Sequence, residues 1–95
     1  MTYSPNKNYY TYSSINSSTT AQKRFHYNCS GTITVTLPTS GVSAGEEIRI
    51  KNTGTGTITI DPQTSTIDGS TDDFLLDVQH SSITLVSTGG NWEII

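Results

Sequence analysis

The sequence predicts an all-β fold, and three observations predict it. β-branched aliphatic residues alternate with threonine in short runs, as in "GTITV" from Gly31 and "GTITI" from Gly56. Turn-forming residues interrupt these runs roughly every ten positions. No window sustains the 3.6-residue period of a helix. At 95 residues the chain has room for one domain. The spacing predicts a small antiparallel β-sandwich or barrel.

Each element follows from its alternation. "KRFHYNC" sets Phe25, Tyr27 and Cys29 on one face of a strand, with Arg24, His26 and Asn28 on the other. "TITVTL" turns Ile33, Val35 and Leu37 inward and its threonines outward. Threonine favours strands without adding charge, so the outer face stays both β-competent and polar. "PTSGVSAG" reads as a loop. "EEIRIKN" offers Ile48 and Ile50 to the interior, "TGTG" turns the chain, and "TITI" offers Ile58 and Ile60. Asp61-Pro62 stops that strand, because Pro62 has no amide proton for a ladder. A brief strand around Ile67 precedes an Asp68-Gly69 turn. "DFLLDV" is too short to assign as strand or helix. "SSITLVST" and "NWEII" close the chain around Gly89-Gly90. The two "GTIT" phrases read as equivalent strands of one sheet system, since their flanks do not match as a true repeat would.

Composition bears on assembly. The hydrophobic fraction is 32%, the charged fraction 14% and the net charge −3. Serine and threonine fill roughly a third of the positions. A small domain so short of apolar residues usually recruits disulfides, metal or partner subunits. Cys29 is the only cysteine, so no internal disulfide forms. The expectation is therefore a homo-oligomer in which neighbouring copies supply the missing core.

Residues 1–24 differ from the rest. They carry Lys7, Lys23 and Arg24 and no acid, whereas residues 25–95 carry all eight acids. Tyr3, Tyr9, Tyr10 and Tyr12 are amphipathic rings that gain contact area at small entropic cost. The expected organisation is an extended N-terminal arm, 1–24, that orders on a partner, followed by a β-domain, 25–95. A tail without fixed structure is the alternative. "MTYSPNKNYY" has no apolar run after a basic start, so synthesis without a secretory signal is expected. No stretch is apolar enough to cross a bilayer.

Few residues suggest chemistry. His26 and Cys29 are three apart on a strand and so point to opposite faces. Cys29 reads as a core residue, and His26 and His80 as exposed polar positions. Asp68, Asp72, Asp73 and Asp77 lie in a loop of the kind calcium prefers, but the spacing and closing glutamate of an EF-hand are missing, so no metal and no cofactor are expected. The acidic body argues against nucleic-acid binding. No enzyme is predicted.

One set of phrases carries a resemblance. Leu37-Pro38, the I-x-I-K-N strand from Ile48 to Asn52, the strand from Gly56 to Pro62, the turn from Ile67 to Gly69 and the closing stretch from Ile83 to Ile95 follow one another in that order. Together they make residues 30–95 resemble a β-module of tailed-bacteriophage virion proteins, found in tail fibres, head fibres and minor structural proteins. The resemblance implies a homotrimer. It also implies a virion structural role, with the short arm favouring a capsid decoration or cement protein on the outer capsid surface. The expected partner is the major capsid protein, contacted through Tyr3, Lys7, Tyr9, Tyr10 and Tyr12. Ile33, Val35, Ile58, Ile60, Leu85 and Trp92 are the expected core of subunit and oligomer. The alternative is a tail-fibre or head-fibre tip that binds host-surface glycan.

Overall fold

The alternating runs form strands throughout. A computed structural model describes residues 10–95, and among them it holds nine strands and no helix. In chain order they are β1 (Thr11–Ile15), β2 (Thr19–Thr20), β3 (Phe25–Cys29), β4 (Ile33–Thr36), β5 (Glu47–Asn52), β6 (Ile58–Asp61), β7 (Phe74–Leu76), β8 (Ser82–Ser87) and β9 (Trp92–Ile94). "DFLLDV" thus resolves as the short strand β7. No helix among the described residues is long and apolar enough to cross a membrane.

The sheets are mixed, not antiparallel. One has the order β1-β3-β5-β8-β9 and the other β2-β4-β6-β7. Within them β1, β3 and β5 run parallel, as do β2, β4 and β6. Only β7, β8 and β9 add antiparallel pairs. The cause is the path of the chain. From β1 to β6 it crosses to the other sheet after each strand, so three successive coils lay like-directed strands side by side. A hairpin would have reversed them. Turn residues at ten-residue spacing serve both paths equally well, which is why the sequence pattern misread the direction.

The coil explains the twin phrases. β4 and β6 are neighbours in register, with Ile33 opposite Ile58, Thr34 opposite Thr59 and Val35 opposite Ile60. The two "GTIT" stretches are therefore the same step of successive coils. Their glycines meet, too. A Cβ on Gly56 would lie 2.5 Å from the Gly31 carbonyl oxygen, closer than real Cβ atoms approach. Gly56 is there because a backbone passes against it.

The inward faces of both sheets share one core. Ile33, Val35 and Leu37 from one coil and Ile48, Ile50, Ile58 and Ile60 from the next are buried, with Cys29, Leu85 and Trp92. Among the described residues, 14 apolar side chains are at most 8% exposed. A single chain therefore has an interior of its own, and the six residues expected at a core shared between copies all lie inside it.

One polar side chain is fully buried among them. Asn52 Nδ2 donates to the carbonyls of Gly56 at 2.8 Å and Leu76 at 2.9 Å, and its Oδ1 accepts from the Gly54 amide at 3.0 Å. It folds the "TGTG" turn back on β5 and hooks β7 to it. The Asp68-Gly69 turn is also tied down. Both residues have positive φ, 49° and 81°, as a two-residue hairpin with Ile67 opposite Ser70 requires. The Asp68 amide donates to the Trp92 carbonyl at 2.9 Å, and the Trp92 amide to that of Thr66 at 2.8 Å.

The N-terminal segment behaves differently from an extended arm over residues 11–20. β1 pairs with β3 along its whole length, from Thr11 opposite Phe25 to Ile15 opposite Cys29, and β2 pairs with β4. Ile15 packs against the core and Ala21 is buried. Too few apolar residues to fold alone is a different condition from too few to join an existing sheet. A strand added to a formed edge gains its main-chain hydrogen bonds at once and needs only one or two inward side chains.

Candidate functional site

Parallel pairing of β1 with β3 lines up their outward side chains. Tyr12 lies opposite His26 and Ser14 opposite Asn28, while His26 lies opposite Arg49 of β5 and Arg49 opposite Thr84 of β8. The result is a row, Tyr12-His26-Arg49-Thr84, across the outer face of the five-stranded sheet. The Tyr12 and His26 rings stack, 5.7 Å between centroids and 7° from parallel. Asn28 joins them: its Nδ2 donates to the Tyr12 hydroxyl, and its Oδ1 accepts from His26 Nε2 at 2.9 Å. Tyr12 remains 64% exposed, so its ring is held in place yet open to a partner.

A second cluster adjoins the first. The Arg49 guanidinium lies over the Tyr10 ring, 3.9 Å from its centroid, a cation–π contact. The Tyr10 hydroxyl donates to Glu47 Oε1. Burial raises the Tyr10 hydroxyl above its ordinary pKa of 10, and the hydrogen bond to the Glu47 carboxylate and its charge raise it further, against the pull of Arg49. Beyond it Lys23 pairs with Glu46 at 3.5 Å. The Ser43 amide donates to Glu46 Oε1 at 2.8 Å, and that bond, with Lys23, holds the Glu46 carboxyl below its usual range.

This face can bind through flat rings, an amide, a guanidinium and a carboxylate. Of the residues expected to contact a partner, Tyr10 and Tyr12 stand on it, while Tyr3, Lys7 and Tyr9 lie outside the described residues. Asn28, Glu47 and Arg49 were not singled out from sequence. Only the parallel register brings them beside the tyrosines, and no local pattern signals that register.

The other candidates are dispersed. His26 is on the outer face of β3, whereas Cys29 faces inward and is wholly buried, its thiol pushed by burial to about 11. His80 is exposed, with a positive φ of 69°. Asp68 Oδ1 accepts from the Ile94 amide at 3.2 Å. Among the described residues, no three His, Cys, Asp or Glu side chains converge as a metal site would need.

Compared with known protein families and with curated proteins, the chain matches none.

Proposed function

We propose that this chain is a structural protein of a tailed-phage virion, a β-sandwich of the decoration or cement type that binds the major capsid protein on the outer capsid surface. The observation that carries the reading is the outer face around Tyr12: an exposed ring braced by His26 and Asn28, beside Tyr10 and Arg49. Tyr3, Lys7 and Tyr9, which precede Tyr10 in the chain, are proposed to contact the same partner. Several copies, three by the resemblance, engage the shell together, and weak individual contacts combine through effective concentration.

The experiment uses empty shells of the cognate major capsid protein. Deletion of residues 1–9 removes Tyr3, Lys7 and Tyr9, and Tyr12→Ala removes an exposed ring that is not part of the core. Both should weaken shell binding at least tenfold while the melting temperature stays within a few degrees. Wild-type binding by the double variant refutes the docking face. The glycan reading rests on the same exposed ring beside an amide. It is favoured instead if Tyr12→Ala abolishes binding to host-surface glycan and the chain is present in a few dozen copies per particle.

A further inference from the structure

Four strands lie at sheet edges: β1 and β9 in one sheet, β2 and β7 in the other. Edge strands are usually kept from pairing by shortness, charge or proline. β2 has two residues. β7 has three, flanked by Asp73 and Asp77, and β9 has three, with Glu93 at its centre. β1 has none of these guards. It is five residues, "TYSSI", and no charged residue or proline occurs from Tyr10 to Gln22.

Its outer side is set up for pairing. Thr11 donates its amide to the Arg24 carbonyl at 2.9 Å, and the Ile15 carbonyl accepts from Ser30 at 3.1 Å. Main-chain groups alternate in direction along a strand, so Thr11, Ser13 and Ile15 point theirs at β3, and Tyr12 and Ser14 point theirs away from the sheet. Among the described residues no strand pairs with that side.

We infer that β1 pairs antiparallel with β1 of a second copy, across a two-fold axis at Ser13. The strand is complementary to itself in this register. Tyr12 falls opposite Ser14 of the second copy and Ser14 opposite its Tyr12, so each large ring meets a small side chain on the outer face. Both are the outward-pointing residues, so each such pair exchanges two main-chain hydrogen bonds. On the inner face Thr11 meets Ile15, half-buried at the edge and covered by the pairing. Ser13 meets Ser13 at the axis as a non-hydrogen-bonded pair. The acids at β7 and β9 oppose the same association at the other end, where like charges would meet. The five-stranded sheets of two copies become one ten-stranded sheet. An interface of one five-residue strand is at the small end of specific contacts, so the dissociation constant is micromolar. The inference does not depend on the virion reading, and its product is a two-fold dimer in place of the three copies that the resemblance implies.

Sedimentation of the full chain between about 1 and 200 µM tests it, in a range set by that affinity. The expected mass is twice the 10.3 kDa of one chain at high concentration, falling to one chain on dilution. Ser14→Pro removes an outward amide from each side of the axis and should raise the dissociation constant tenfold or more. Ser13→Cys supplies a check independent of that variant's folding. Opposed Cα atoms in a non-hydrogen-bonded pair are about 4.5 Å apart, within disulfide reach, so mild oxidation should yield a cross-linked dimer. A monomer at every concentration overturns the inference. So does an oligomer that survives a folded Ser14→Pro variant without Ser13→Cys cross-linking. If deletion of residues 1–9 turns a monomer into a dimer, the occupant of the edge is the chain's own N-terminus, and the inference is equally overturned.

Discussion

Replacing Asn52 with leucine keeps its branched outline, with two methyls in place of the amide oxygen and nitrogen, and removes all three of its side-chain hydrogen bonds. The Leu76 carbonyl is buried with the bond it accepts, whereas the Gly56 carbonyl and the Gly54 amide are partly accessible to water. A net hydrogen bond contributes about 1 kcal/mol, and a buried polar group left alone costs about 1–3 kcal/mol. Two partly wetted groups at about 1 kcal/mol each and one dry carbonyl at up to about 3 kcal/mol give a loss of about 3–5 kcal/mol. For a domain this size each 1 kcal/mol lowers the midpoint by roughly 4–8 °C, so even the lower figure implies a fall of roughly 12–24 °C. Urea unfolding followed by the fluorescence of Trp92, the only tryptophan and 3% exposed, measures the change directly. The slope with denaturant should be unchanged, because the core is not rearranged. A loss under about 1 kcal/mol would refute the argument, since it would mean water or a shifted turn replaces Asn52 at no cost. Asn52→Asp separates the contributions further. It keeps the acceptor for Gly54 but sets a carboxylate against two carbonyls, so its loss should deepen as pH rises through the carboxylate range.

Further outcomes follow from the same structure. Gly56→Ala places a methyl against the Gly31 backbone and should cost about 1–3 kcal/mol in urea unfolding, whereas Gly90→Ala, with open space around it, should cost far less. Cys29 should resist thiol reagents at pH 8 until the protein is unfolded. Its pKa is raised from 9 to about 11, so folding favours the protonated thiol. That contribution is complete below pH 9 and is lost as pH rises through 11, at most about 3 kcal/mol. Tyr27, raised first by burial, adds to the same decline. Cys29→Ala should flatten the slope of stability against pH in this window, and an unchanged slope would locate its cause elsewhere.

How much of this was legible in advance depends on the distance over which each feature is decided. Inward-facing Ile33, Val35, Ile48, Ile50, Ile58 and Ile60 were readable because side chains alternate strictly along a strand, and one face must be apolar. The Asp68-Gly69 turn was readable because both residues must adopt positive φ, which few others tolerate. The role of Asn52 was not. An asparagine after "IRIK" looks like any turn residue, and only the approach of β7, more than twenty residues later, gives its amide a buried carbonyl to hold.

By itself the sequence determined an all-strand chain, the identity of its buried faces and the position of most of its turns. All of these follow from forces acting within a few residues. The tertiary structure alone decided that the strands coil instead of folding back. It also decided that residues 11–20 complete both sheets and that Tyr12, His26, Asn28 and Arg49 share one face. The physical reason is that parallel neighbours are joined by a full coil of chain. Which side chain meets which is then settled by the packing of two sheets around a common interior, a quantity no short stretch of residues contains.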